Sequence, residues 1–256
     1  MPMRLTPAVK GILIACVAAF LIQQTADQFF GGNLLGWFGL IPAAFAQGKI
    51  WQLFTYPFLH ADVMHLFLNM LMLVFIGAEL EAVWGSARFL RFYFLCSSAG
   101  GLLYLILQMF VWKGEGLHVP MVGASGAIYG LLMAYGLLFG ERMLLFMLLF
   151  PMKAKYFVWI LAALQLFTTV FSGRQGLSGA AHLGGMAAGF GYLWIRASLV
   201  VAKKSRIVKK WMDPDVAKKM KRRKASKLKL VIDNEKGKST QPVDDDIDGN
   251  GPKTWH

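Results

Sequence analysis

Two residues of this chain have the types and surroundings to make and break an acyl bond together. Ser125 lies in Gly123-Ala124-Ser125-Gly126-Ala127-Ile128-Tyr129-Gly130, and 57 positions later His182 lies in Ala181-His182-Leu183-Gly184-Gly185. A serine hydroxyl becomes a nucleophile when a neighbouring imidazole takes its proton. Both residues sit in long apolar runs, where polar side chains are costly and uncommon, so the pair points to acyl chemistry inside a bilayer. His65 and Asn69 stand one helical turn apart in a third apolar run and offer side-chain donors to a developing oxyanion.

Helices must carry these groups. The 256 residues are 56% hydrophobic, with 20 Phe, 14 Met and 8 Trp, which excludes an ordinary soluble domain and predicts an all-α polytopic membrane protein. A spanning helix needs about 20 apolar residues to cross about 30 Å of hydrocarbon. Six segments approach that standard: 8–25, 63–83, 88–112, 124–140, 155–171 and 179–200. With the N-terminus inside, Arg4, Lys10, Arg88, Arg91, Arg142, Lys153, Lys155 and Arg196 fall on the cytoplasmic side, against Lys49, Lys113 and Arg174 outside. Both termini are therefore expected in the cytoplasm. Residues 26–62 read as a long outer loop lying in the interface, and residues 143–150 as an inner interfacial stretch or an extension of the fifth helix.

Counting from the cytoplasmic end of each helix at about 1.5 Å per residue gives depths. Ser125 precedes Glu141 by 16 residues and falls roughly 6 Å below the outer boundary. His182 precedes Arg196 by 14 residues and His65 precedes Glu79 by 14, so both fall roughly 9 Å below it. Three polar groups on three helices thus converge near the outer face, where a water-filled cup would supply hydrolytic water. Gly126 to Gly130 and Gly185 to Gly189 are each GxxxG, a spacing that lets helix backbones approach closely.

The expected roles follow. Ser125 attacks a carbonyl, His182 is the base, and the backbone N–H of Ser125 opens a helix and joins His65 and Asn69 as an oxyanion donor. Tyr129, one turn below Ser125, reads equally as a ring packed on the imidazole or as ordinary helix packing, with Gly123 a supporting backbone position. No Asp or Glu lies within a helix at that depth, which predicts a dyad without a carboxylate. His60 reads as a cap or loop partner. No His-Glu-x-x-His motif marks a metal site, and no metal or cofactor is expected. A proton-coupled transporter would more usually carry acidic residues in its helices at the depth of Ser125 and inverted repeats, and the sequence has neither.

The net charge of +13 is concentrated in residues 203–229, which hold 13 Lys and Arg against Asp213 and Asp215. A basic block directly after the last apolar run reads as a cytoplasmic retention signal that touches anionic lipid, with no nucleic-acid partner expected. Residues 230–256 have a disordered composition. The domain reading is a membrane body over 1–202, a basic segment over 203–229 and a tail over 230–256. Cys16 and Cys96 lie in apolar runs and are expected to be buried and unbridged. Arg4 and Lys10 precede a first anchor rather than a cleaved signal.

The chain resembles the rhomboid intramembrane serine proteases. Gly123-Ala124-Ser125-Gly126 is similar to their GxSG motif, Ala181-His182 to their base motif, and His60, His65 and Asn69 to their second-helix HxxxxHxxxN. The resemblance covers roughly residues 8–200. It implies a six-transmembrane-helix bundle, Ser125 as nucleophile, His182 as base, and His65 and Asn69 as oxyanion-hole donors. Its implied substrates are single-span membrane proteins cut near the outer face, and the composition suits a bacterial inner membrane. A rhomboid-like protein without activity, binding membrane clients, is the alternative. One departure stands out: the family often carries Trp-Arg in its first loop, where this chain has Trp51-Gln52.

Overall fold

Proline at the start of a helix leaves no N–H unpaired, and Pro7 opens helix α1 (Pro7–Phe29) in the computed structural model. This structure describes residues 5–112, 115–146, 150–171, 177–212 and 222. The next free donors of α1, the N–H groups of Ala8 and Val9, point at the carboxylate of Glu81 at 2.8 and 2.9 Å. Thr6 and Ser86 add their hydroxyls to the same carboxylate, Ser86 at 2.6 Å. Glu81 sits on α6 (Ala78–Trp84) and is almost fully buried, so four donors and the positive end of a helix offset the cost of burying its charge.

Five helices are long and apolar enough to cross a membrane: Pro7–Phe29, Val63–Trp84, Ser86–Trp112, Ala154–Phe171 and Ser178–Ser205. The second comprises α5 (Val63–Met72), a π-helical stretch Leu73–Gly77 and α6. The third joins α7 (Ser86–Ile106) to a π-helical stretch Leu107–Trp112. Helix α9 (Ala154–Phe171) is the fourth, and the fifth lies within α10 (Leu177–Met212). Large apolar side chains such as Phe29, Trp159, Phe167 and Leu199 are exposed on these helices, as expected where lipid is the solvent. The fold is an all-α polytopic membrane bundle.

The segment expected over 124–140 differs. It forms α8 (Ser125–Leu138), an apolar helix of only 14 residues. Gly126 to Ile128 and Gly130 to Gly136 are buried, so α8 is apolar because neighbouring helices surround it. Phe89, Phe92, Tyr93 and Cys96 of α7 pack in the same core as Leu131, Leu132 and Val158. At the far end of α8, Tyr135 donates to Glu79 at 3.1 Å and Arg142 pairs with the same carboxylate.

The stretch expected over 143–150 does not lengthen α9 in its described residues. Strands β1 (Met143–Phe146) and β2 (Phe150–Lys153) pair antiparallel, with Met143 opposite Lys153 and Phe146 opposite Phe150. Pro151 has no N–H for a helical ladder and disfavours helix at Phe150, whereas the edge of a two-stranded ribbon tolerates it. Beside the ribbon, Glu141 pairs with Lys153 at 2.7 Å and with Lys155, and these ammonium groups hold its carboxyl down at about 2.

The loop over 26–62 is structured, holding α2 (Leu34–Phe38), α3 (Pro42–Ala46), α4 (Gln52–Thr55) and a 3-10 turn at Tyr56–Phe58. By internal contacts the chain divides into two units, Met1–Ala197 and Ser198–His256, and the site belongs to the first. Arg4, Lys113, Arg174, the tail over 230–256 and the basic segment from 213 onward, apart from Arg222, lie outside the described residues.

Candidate active site

The start of α5 decides where its polar side chains stand. Asp62 has extended backbone and accepts from the N–H of His65 at 2.8 Å, so Asp62, not His60, is the cap. His65 and Asn69 then project one turn apart on one face. The Asn69 amide donates to the His65 carbonyl at 2.9 Å. His60 ties the loop to α1 instead. Its carbonyl accepts from Gln23 at 3.0 Å, its Nδ1 lies 3.3 Å from the Phe58 carbonyl, and its ring meets that of His65 edge-on at 5.1 Å. Burial pushes the His60 imidazole down to about 4.

The segment entering α8 is held by the long loop. Leu40 and Met121 exchange N–H···O bonds of 2.9 Å, and the Gly123 N–H donates to the Tyr56 carbonyl at 3.0 Å. Gly123 has φ of 112°, a conformation open to glycine and strained for other residues, and α8 begins two residues later. A methyl group at Gly123 would lie 2.7 Å from Nε2 of His65 and 3.9 Å from Nδ2 of Asn69. The imidazole therefore fits against bare backbone beside Ser125.

Gln52, at the position where the resemblance leads one to look for arginine, is fully buried and organises this loop. Its Oε1 accepts from the Ile41 N–H at 3.1 Å, and its Nε2 faces the Gly36 and Trp37 carbonyls at 3.3 and 3.4 Å. A neutral amide reaches three backbone groups without burying a charge. The bond to Ile41 adjoins the Leu40–Met121 bridge, so Gln52 supports the path to Gly123.

The two GxxxG stretches pack on one another. Gly185 lies directly against the carbonyl of Gly126, and a methyl at Gly189 would stand 2.9 Å from the carbonyl of Gly130. Gly100 of α7 abuts the carbonyl of Ala181 in the same way. Side chains on any of these faces would hold the backbones apart.

At that contact Nε2 of His182 lies 2.7 Å from Oγ of Ser125, a hydrogen bond across α8 and α10. The ring of Tyr129 stacks on the imidazole, with centroids 4.1 Å apart and planes 8° from parallel. His182 and Ser125 are both only partly buried. Ser125 is the first residue of α8, where N–H groups lack helical partners and the dipole is positive. The structure thus gathers Ser125, His182, Tyr129, Gly123, His65 and Asn69 at one end of the bundle.

One member was not named from sequence. Gln165 of α9 places Oε1 2.9 Å from Nδ1 of His182 and Nε2 3.0 Å from the Tyr129 hydroxyl. A polar amide inside the apolar segment 155–171 was the available signal. Among the described residues no cluster of His, Cys, Asp and Glu could hold a metal ion.

The chain is similar in sequence to known proteins. Residues 47–199 match the family model of the rhomboid domain. RHOMBOID-like protein 12, mitochondrial, of Arabidopsis thaliana is 28% identical over 189 residues, covering 70% of this chain and 55% of that protein. Rhomboid protease GluP of Bacillus subtilis (strain 168) is 36% identical over 87 residues, 34% of this chain and 15% of the relative. Inactive RHOMBOID-like protein 8 of Arabidopsis thaliana is 30% identical over 84 residues, 33% of this chain and 22% of the relative. The chain spans about half the length of the mitochondrial relative and less of the other two. Since the rhomboid match runs from the loop that holds Gly123 through the helix that bears His182, well over half of the sequence, the chain belongs to the rhomboid family of membrane proteases.

Proposed function

We propose that this chain is an intramembrane serine endopeptidase that cuts transmembrane segments of single-span proteins near the outer face, using Ser125 and His182. The observation that carries the reading is the 2.7 Å bond between Ser125 Oγ and His182 Nε2 beneath the stacked ring of Tyr129. Oγ attacks the scissile carbonyl while Nε2 takes its proton. The resulting oxyanion is met by the N–H of Ser125 and by the side chains of His65 and Asn69. Collapse breaks the C–N bond, and His182 returns the proton to the leaving amine. Water then gives a proton to Nε2, attacks the acyl-enzyme, and releases the second product as a carboxylic acid with the serine hydroxyl restored.

In this reading α8 is the sixth span, short because the site lies at its first residue and water must reach it. Both termini are cytoplasmic, the membrane is a bacterial inner membrane, and the basic segment over 203–229 rests on anionic lipid. Purified protein in liposomes is expected to react with a fluorophosphonate and to cut a model transmembrane substrate, while Ser125→Ala and His182→Ala do neither. Full cleavage by either variant sinks the assignment. Binding of substrate without any turnover by the wild-type protein would instead favour a client-binding role without catalysis.

A further inference from the structure

An imidazole can accept a proton at Nε2 only while its own proton sits on Nδ1, and that N–H needs an acceptor in an apolar setting. Oε1 of Gln165 lies 2.9 Å from Nδ1 of His182. The other end of the same amide reaches the Tyr129 hydroxyl at 3.0 Å, and Tyr129 stacks on the imidazole it helps to orient. Ser125, His182, Gln165 and Tyr129 therefore form a closed circuit, since Tyr129 returns to α8 one turn after Ser125. We propose that Gln165 is the positioning residue of this site, fixing the His182 tautomer in which Nε2 is free to accept the Ser125 proton. This inference rests on the proposed dyad and deepens it.

The geometry of the amide supports this role. Amide nitrogen only donates, so with Nε2 of Gln165 on the tyrosine oxygen, Oε1 is the atom presented to His182. The backbone is also held, because the Gln165 carbonyl accepts from Thr168 at 3.1 Å and Thr169 at 2.7 Å, and Thr169 is buried. An amide does the orienting work of a carboxylate without placing an ion in the bundle.

The test measures kcat, KM, fluorophosphonate labelling and thermal midpoint for the wild type, Gln165→Leu and Gln165→Glu in proteoliposomes. It adds ¹⁵N shifts of the His182 ring, assigned by difference from His182→Asn. Gln165→Leu is expected to lower kcat and labelling together by on the order of 10- to 100-fold, with KM within about twofold, short of the roughly 10⁴-fold cost of losing the orienting carboxylate of a Ser-His-Asp triad. Gln165→Glu, which keeps an acceptor for Nδ1–H, is expected to recover most of that loss. Wild-type shifts are expected to show the proton on Nδ1, and those of Gln165→Leu a mixture of tautomers.

Unchanged kcat in Gln165→Leu overturns the inference. So do equal losses in both variants with a falling thermal midpoint, or a wild-type proton on Nε2. A wild type that shows the Nδ1 proton but never turns over leaves Gln165 in its place and refutes the proposed proteolysis instead.

Discussion

Three glycines of α10 should respond to the same mutation in three different ways. Each change to alanine adds one methyl and gains about 1 kcal/mol of helix propensity. The surroundings differ sharply. A methyl at Gly185 collides with the carbonyl of Gly126, the residue after Ser125, and a backbone carbonyl cannot rotate away. At Gly189 it would stand 2.9 Å from the Gly130 carbonyl, about half an ångström short of ordinary contact at 3.4 Å. At Gly191 nothing lies within 4 Å.

Relief at Gly185 requires α8 and α10 to separate by about 1.5 Å, since overpacked backbone has no other way to yield. His182 lies one turn before Gly185, so the 2.7 Å bond to Ser125 would lengthen past the limit of about 3.5 Å for a hydrogen bond. A misplacement of about 1 Å costs about 100-fold in rate. Gly185→Ala should therefore lose about 100-fold in kcat and about 1–2 kcal/mol of stability once the propensity gain is deducted. Gly189→Ala, two turns from His182, should lose about 3- to 10-fold. Gly191→Ala should keep full activity and melt slightly higher. Cleavage of a transmembrane substrate in liposomes gives kcat, and thermal unfolding in detergent gives stability. Wild-type turnover by Gly185→Ala, or equal losses in all three variants, would refute the idea that glycine contacts set the dyad distance.

Glu81→Ala removes the acceptor of four donors and should cost about 3 kcal/mol, read as a lower thermal midpoint, with kcat preserved well below it; Glu81→Gln should cost less. Gln52→Leu strands the part-buried N–H of Ile41 and should lose about 2 kcal/mol together with several-fold in kcat, because the loop pins Met121 and Gly123; an unaltered midpoint would show that the amide bonds are dispensable. His60 predicts acid sensitivity. Burial lowers its imidazole from 6.5 to about 4, so between those values the unfolded chain binds a proton that the folded ring refuses, and stability falls as pH drops through that window. His60→Asn should flatten this part of the midpoint-against-pH curve, and parallel curves for the two proteins would remove His60 as its source.

Apolar run length and charge made the helices legible. Apolar runs and basic flanks located the segments to within a few residues, because lipid leaves a chain few alternatives to helices. Loop 26–62 was less readable. Its order rests on pairings distant in sequence, Gln52 to Ile41 and Leu40 to Met121, which no local pattern encodes. Length arithmetic overstated α8, because Gly123 turns the chain sharply and the Glu79–Arg142 pair closes the other end early. The ribbon over 143–153 was hidden by an apolar run that suits helix and strand alike. At the site, residue type and depth singled out Ser125 and His182. Gln165 stayed unseen because an amide on the next helix has no spacing rule to announce it.

The neutrality of the assembled groups has a physical reason. A carboxylate beside His182 would hold the base more firmly, but an ion inside the bundle must be compensated by donors. Glu81 shows the scale of that requirement, taking up two hydroxyls and two N–H groups at the end of a helix. Donors spent that way near Ser125 would compete for the groups an oxyanion needs. An amide makes no such demand, because it carries no charge, and its oxygen faces His182 while one of its N–H groups donates to Tyr129. In the proposed reaction charge arises only when a carbonyl is attacked, and the Ser125 N–H, the His65 ring and the Asn69 amide hydrogen not taken by the His65 carbonyl are the donors left for that oxyanion, so their binding energy is realised where it accelerates the reaction.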